Sequence, residues 1–414
     1  MATSTANNNA KVIGLLSIPV LVAALGYFVD IYDLLLFGMI RKTSLQSLGL
    51  TGDAAINAGL NVMSVQMYGL LIGGILWGMM GDKKGRLSVL FGSIILYSLA
   101  NIANGFVHTL NQYEICRFIA GIGLAGELGA GITLVSELIP KEKRGIATSM
   151  VAGIGLTGAV VAYFISQSFD WRICYFIGGG LGFLLLLLRV RVFESGMFHD
   201  IKKDVAIQKG NFLMFFTNWK RFKKYILAIA IGLPTWYVIG ILIQQSDKFG
   251  KEFGIKEDII AGKAVMFAYV AISVADLLIG LLSQVLKSRK KALYIFYAIT
   301  IAGIVLYFNL YNSTAANMYL VCMLMGFGTG FWALFVTMAA EHFGTNLRAT
   351  AATTVPNMVR GSLPLIIILF KSLIPGHGTI TAGAITGVVV MIISTIAVVL
   401  TEETFGKDLN FLEE

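Results

Sequence analysis

Six charged residues lie inside long apolar runs of this chain. In lipid each costs several kcal/mol unless it finds a partner or faces a wet cavity, so each is a candidate for function. Asp30 and Asp33, in the run AALGYFVDIYDLLLFG, stand three positions apart and share one helix face. Two carboxylates at one site do not readily ionise together, so one of them can carry a proton. The alternative is a hydrated position near the end of the run, since Arg41 follows Asp33 by eight residues. Glu127, between Gly126 and Gly129 near the middle of another run, reads as a proton or substrate ligand, or as half of a buried structural pair. Arg117 precedes it by ten residues, roughly 15 Å along a helix, at a depth where it can pair with Asp30 or Asp33. Arg360, with Asn357 one turn earlier on the same face, offers a permanently charged planar fork suited to a carboxylate or phosphate. It reads as a substrate anchor, or as a structural partner for Asp276, whose own role is gate or scaffold.

Gln66, Tyr32, Trp236, Tyr237, Tyr269 and Trp332 are candidate cavity residues, although each taken alone reads as packing before ligand. Covalent chemistry is not indicated. His108, His199, His342 and His377 are dispersed, and no Ser/His/Asp set, metal cluster or phosphate-cradling glycine loop occurs. Cys116, Cys174 and Cys322 lack metal-ligand spacing and read as small packing residues. The reading is therefore not an enzyme, with no cofactor and no metal.

The elements that must position these groups are membrane helices. A chain of 414 residues that is 57% hydrophobic and 13% charged, with mean hydropathy +0.78, is far poorer in charge than a soluble domain. Twelve apolar stretches are long enough to cross a bilayer as helices. Most loops between them are short. The exception, Glu194 to Lys224, holds basic clusters and the amphipathic stretch NFLMFFTNWKRFKKY, and reads as a linker between two six-helix bundles, 1–193 and 225–414. The net charge of +9 follows the membrane rather than forming a nucleic-acid face. With the N-terminus inside, inner segments carry 22 Lys and Arg against eight outside, which places both termini in the cytoplasm. The polar N-terminus is read as an ordinary tail without a cleaved signal.

The two halves also repeat each other. Glu137 precedes Arg144 by seven positions, and Glu341 precedes Arg348 by the same interval, 204 positions on. Gly78 aligns with Gly280, and Gly26 more loosely with Gly232. Duplicated apolar halves of this kind are the pattern of alternating-access carriers. Glu127 would match Phe331 at that offset, so its charge is peculiar to the first half.

Between the second and third spans the chain reads GGILWGMMGDKKGRLSVLFG. Gly74 and Gly78 permit close helix contact, Asp82 can cap a helix, and Arg86 can pair with a carboxylate, together forming an ionic latch. This loop resembles the signature G-x-x-x-D-x-x-G-R of the major facilitator superfamily through Gly78, Asp82, Gly85 and Arg86. The resemblance extends through RFIAGIGLAGE, SELIPKEKRG and the degenerate second copies Gly280 to Lys291 and Glu341 to Arg348, where Gln284 replaces the Asp and one residue is added before Arg289. Within that superfamily YFVDIYDLLLFG, GLAGELGAG, DWRICYFIGG and RVRVFESGMF are similar to the metabolite:proton symporters, with Leu70 departing from their usual Arg.

The resemblance implies an all-α membrane protein with twelve transmembrane helices in two pseudo-symmetric six-helix bundles. It implies proton-coupled transport of a small organic anion or zwitterion across the bacterial inner membrane by a monomer, and the fifth-span run MVAGIGLTGAVVAY, with glycines but without the proline of an antiporter motif, favours import over export. A phosphate:proton symporter, an uncoupled facilitator and a transporter-like nutrient sensor are the alternatives. In related symporters a first-span Asp facing a fourth-span Arg acts as the protonation switch, which implies Asp30 or Asp33 with Arg117. Proton coupling is expected at Asp30, Asp33, Glu127 and Arg117. Substrate contact is expected at Arg360, Asn357, Gln66, Tyr32, Trp236, Tyr237 and Trp332, and gating at Asp82, Arg86, Glu137, Arg144, Asp276, Arg289, Glu341 and Arg348. The expected partners are the solute, protons and lipid.

Overall fold

A computed structural model of the chain describes residues 17–84, 86–138, 141–194, 212–344, 346–407 and 413. Its regular elements are helices, with no strand among the described residues. The first half contains α1 (Ile18–Ser47), α2 (Gly52–Lys84), α3 (Arg86–Asn104), α4 (Leu110–Leu124), α5 (Glu127–Leu138), α6 (Lys141–Leu156), α7 (Gly158–Ser168) and α8 (Trp171–Glu194). The second contains α9 (Trp219–Tyr237), which runs into a π-helical segment Val238–Ile243, then α10 (Ser246–Glu252), α11 (Ala261–Val285), α12 (Arg289–Tyr307) and α13 (Ala315–Thr329). It closes with α14 (Trp332–Glu341), α15 (Arg348–Gly361) and α16 (Leu363–Leu400). Because α9 begins at Trp219, the last residues of the expected linker are already helical.

Ten segments are long and apolar enough to cross a membrane, and Ser88–Asn104 adds a shorter apolar helix. The last of the ten, Thr350–Leu400, bends into two legs at Gly378, where φ is 75°, a conformation glycine adopts without strain. These account for the twelve crossings.

Several crossings are broken, and the breaks repeat. α4 and α5 form one crossing interrupted at Ala125 and Gly126; α13 and α14 form another, interrupted at Gly330 and Phe331. Thr109 caps α4 through a reciprocal pair with Gln112, and Thr314 caps α13 by accepting from the Asn317 N–H. Those caps lie 205 positions apart, as do Glu127 and Trp332, which open the second segment of each crossing. The stretch from the break to the acidic residue is one residue shorter in the second half, so the loop offset of 204 shifts by one here. Glu127 therefore corresponds to Trp332 rather than Phe331.

Helices within a half touch through glycine. A Cβ on Gly69 would fall 2.2 Å from the Phe118 carbonyl oxygen, and one on Gly121 2.2 Å from that of Gln66, so α2 and α4 lie backbone to backbone. The halves meet where α2 packs on α15 and where α11 packs on α1 and α6. At one end Arg41 of α1 lies 3.3 Å from Asp247 of α10. At the opposite end Gly78 abuts Thr354, and Gly129 abuts Thr353. The halves are thus in contact toward both ends.

Candidate functional site

Arg117, two turns into α4, is clasped by the first crossing. Its Nη1 donates to Asp33 Oδ1 at 3.0 Å and to Asn101 Oδ1 at 3.1 Å; its Nη2 donates to Asp33 Oδ2 at 3.2 Å and to the Asp33 carbonyl at 3.3 Å. Both side chains are fully buried, and the Tyr175 ring lies beside the guanidinium. A bidentate fork with further acceptors is the arrangement that makes burial of two charges tolerable.

Asp30, one turn earlier on α1, faces the other half instead. Arg360 Nη2 stands 3.7 Å from Asp30 Oδ2, beyond hydrogen-bond reach, and neither Asp30 oxygen has a hydrogen-bond partner among the described residues. The two carboxylates thus divide between two arginines, one held tightly and one loosely.

Arg360 lines a small cavity between the halves. Tyr27, Ile31 and Leu34 of α1 and Leu156 of α6 form one wall. Thr235, Trp236 and Ile239 of the seventh crossing, Tyr269 and Ile272 of α11, and Thr329 and Trp332 of the tenth form the other. The Arg360 guanidinium lies 5.7 Å from the Trp332 ring, within cation–π range. The Thr235 hydroxyl, the indole N–H groups of Trp236 and Trp332, and Arg360 Nε are buried without hydrogen-bond partners among the described residues. Such donors are costly unless something accepts from them. Pro234 deprives α9 of one backbone donor at this wall, and the π-helical turn follows directly, an irregularity frequent at functional sites. The cavity measures about 20 Å³, enough for a water but not for an organic solute, whose sites run to hundreds of Å³. The walls must part to admit one.

A third buried pair lies inside the first half. Glu127 accepts from Arg189 Nη2 at 2.7 Å, from Arg189 Nη1 at 2.9 Å and from the Ser93 hydroxyl at 3.0 Å, and Arg189 also reaches the Leu90 carbonyl. Arg189 is not among the six charges read inside the apolar runs of the sequence. Its run LLLLLRVRVFE carried the signal, because Arg189 still follows the apolar stretch directly while Arg191 begins the polar exit. Asp276 pairs with neither Arg360 nor any other cation among the described residues; its Oδ1 accepts the Ala333 N–H at 2.9 Å, at the start of α14.

Four of the expected cavity residues stand elsewhere. The Tyr32 hydroxyl donates to the Cys174 carbonyl at 2.9 Å and that of Tyr237 to the Gly383 carbonyl at 2.7 Å, each turned into its own bundle. Gln66 is buried on α2, against α4. The Asn357 amide donates to the Ala125 carbonyl at 2.8 Å. Trp236, Trp332, Tyr269 and Arg360 do line the cavity, together with Tyr27, Ile31 and Thr235, which the sequence did not single out.

Among the expected gating residues, Arg289 and Glu341 are paired at 3.2 Å, with Ser283 beside the arginine and Thr404 beside the glutamate. Arg348 opens α15. The side chains of Asp82, Arg86, Glu137 and Arg144 lie outside the described residues.

Residues 23–368 match the family model described as Major Facilitator Superfamily. The niacin transporter of Acinetobacter baylyi is 26% identical, with 94% of each chain covered. The gentisate transporter of Corynebacterium glutamicum is 24% identical, over 83% of this chain and 79% of that one. A proton:xylose symporter bound to 6-bromo-6-deoxy-D-glucose superposes with a TM-score of 0.70 at 16% identity, covering 95% of this chain and 97% of that chain, a likeness of fold. With most of its length inside the family model and its twelve crossings laid out as two repeats, the chain belongs to the Major Facilitator Superfamily of membrane transporters.

Proposed function

We propose that this transporter imports a small aromatic carboxylic acid together with a proton. The observation that carries the reading is Arg360, a buried cation on an aromatic cavity wall, held by Asp30 only at 3.7 Å. A carboxylate suits its planar fork, and a flat ring suits the faces of Trp236, Trp332 and Tyr269. The transporters it resembles carry niacin and gentisate, both aromatic carboxylic acids. Phosphate fits this wall less well, because the aromatic surface offers it little.

Coupling follows from charge balance. Without solute, Asp30 and Arg360 neutralise each other. A proton on Asp30 releases Arg360, and the solute carboxylate then restores neutrality. Either ligand alone leaves an unpaired charge in a poorly polarisable interior, which opposes closure of the halves around it. Arg117 with Asp33, and Arg189 with Glu127, are read as supporting coupling groups. Asp276 is read as holding Trp332 in place through the start of α14, and Arg289 with Glu341 as a cytoplasmic gate at the second copy of the signature loop. The orientation, with both termini cytoplasmic in a plasma membrane, rests on the basic inner loops.

The test is uptake of radiolabelled nicotinate, benzoate, gentisate, betaine, proline and phosphate into proteoliposomes under an imposed pH gradient, acidic outside. The reading expects accumulation of the aromatic acids, and a ~10- to 100-fold fall in apparent affinity in Arg360→Ala, the scale of a lost charge-assisted bond. Accumulation of betaine or phosphate with no response to aromatic acids would overturn the substrate assignment. Accumulation indifferent to the pH gradient would overturn symport.

A further inference from the structure

A hydrogen bond between the halves near the cavity is made by a side chain that does not line it. Asn357 lies one turn before Arg360 on α15. Its Nδ2 donates to the Ala125 carbonyl at 2.8 Å and to the Thr353 carbonyl at 2.9 Å, while its Oδ1 lies 3.5 Å from Arg360 Nη1. Ala125 occupies the break between α4 and α5, and its carbonyl accepts this donor from outside the crossing. The bond therefore runs from the second half to the first at the break in the fourth crossing.

The surroundings fit a close, specific junction. A Cβ on Gly74 would fall 2.6 Å from Asn357 Cβ, and one on Gly129 2.4 Å from Thr353 Oγ1. Glycine on one half faces Asn and Thr on the other, so small relative movements of the halves break contact. Two residues past Ala125, Glu127 opens α5 and anchors it to Arg189.

We propose that Asn357 is a bolt between the halves, and that Arg360 reports solute occupancy to it. With no solute, Arg360 is turned toward Asp30 and Asn357 Oδ1, and the Asn357 amide stays on Ala125. When Arg360 is drawn to a carboxylate, Asn357 loses its link to Arg360, its hold on Ala125 weakens, and the α2–α15 seam is freed to part. Asn357 acts through Arg360 and the backbone, so it is a positioning residue. The coupling to solute rests on the reading of Arg360 as the substrate anchor; the bolt itself does not.

The test uses the full-length protein in nanodiscs, with Cys116, Cys174 and Cys322 replaced by alanine and a reporter Thr354→Cys placed against Gly78. Maleimide labelling of the reporter measures opening of the seam. Without solute, Asn357→Ala and Asn357→Leu should both label ~3- to 10-fold faster than the parent, the effect of one buried hydrogen bond. Leu fills the volume that Ala vacates, so faster labelling in Ala alone would mark a packing effect and overturn the bolt. Unchanged labelling in both would also overturn it. Thermal transitions within a few degrees of the parent confirm that each variant is folded. Added nicotinate should speed labelling of the parent several-fold and leave Asn357→Leu unchanged. If the Leu variant is fast but nicotinate does nothing to the parent, the bolt stands; reporting by Arg360 is overturned when the same protein accumulates nicotinate in the uptake assay, and the aromatic-acid reading fails when it does not.

Discussion

Arg360 stands 3.7 Å from Asp30 across the junction of the two halves, while one turn along the same helix Asp33 is gripped by Arg117 through both guanidinium amino groups. The difference separates a lock from a switch. Both amino groups of Arg117 are hydrogen-bonded within its own half. Arg360 keeps an unpartnered Nε at an aromatic cavity wall, and Asp30 keeps both oxygens free of hydrogen bonds. In the proposed mechanism this loosely made pair across the junction is the one that a solute and a proton open.

The Arg117–Asp33 pair should show the asymmetry of buried charge. Arg117→Leu or Asp33→Leu alone leaves one charge buried without its partner and should cost about 3–5 kcal/mol of stability, whereas the double replacement should recover much of that loss. Thermal unfolding of the purified variants in one detergent measures it. Additive losses in the double variant would contradict a paired role.

Gly26 tests the Glu127–Arg189 pair from its neighbour. A Cβ there would lie 2.3 Å from Arg189 Nη2 and 2.7 Å from Glu127 Oε2, so Gly26→Ala must displace the paired groups. Gly131→Ala meets only the Ala23 side chain at 3.7 Å, an ordinary contact. We expect Gly26→Ala to lower the thermal transition sharply. Gly131→Ala should be neutral or raise stability by up to ~1 kcal/mol, the helix preference for alanine.

At the end of the second half, Glu403 caps α12 from outside the crossings. Burial alone would raise its carboxyl, but the Ser288 hydroxyl and the Phe405, Arg289 and Lys290 N–H groups outweigh that and pull it from 4.5 to about 2. A carboxylate lowered on folding stabilises fully above its unfolded value, and that stabilisation is lost as pH falls through the folded one. Wild type should therefore lose thermal stability between about pH 4.5 and 2, and Glu403→Gln should show a flatter profile over that window. Parallel profiles would dismiss the cap.

The Arg41–Asp247 pair closes the opposite end and is partly exposed, so its contribution is modest, ~0.5–1 kcal/mol. Arg41→Ala should raise maleimide labelling of a Gln244→Cys reporter, which packs against Gly38, by about 2- to 5-fold. The exchanged variant, Arg41→Asp with Asp247→Arg, should bring it back toward wild type.

The crossings, the duplication and the signature loop were legible in the sequence because each is written as a local pattern of apolar length or of Gly, Asp and Arg spacing. The breaks at Ala125 and Gly330 were not, since glycine in an apolar helix signals close packing as readily as interruption. Which Asp meets which Arg depends on how two bundles dock, and helical periodicity fixes only the face within one of them. Tyr32 and Ile31 are adjacent in sequence yet point to α8 and to the cavity respectively. Arg189 was hidden by its neighbour Arg191, because a charge beside a charge at the end of a span reads as loop.

The most direct measurement of the central claim is transport by Asp30→Asn, whose side chain keeps the shape of a protonated carboxyl and can never release a proton. In proteoliposomes we expect this variant to exchange internal for external nicotinate at a rate near wild type, while failing to accumulate it under an imposed pH gradient. Accumulation equal to wild type would contradict the account, because the proton would then travel without Asp30.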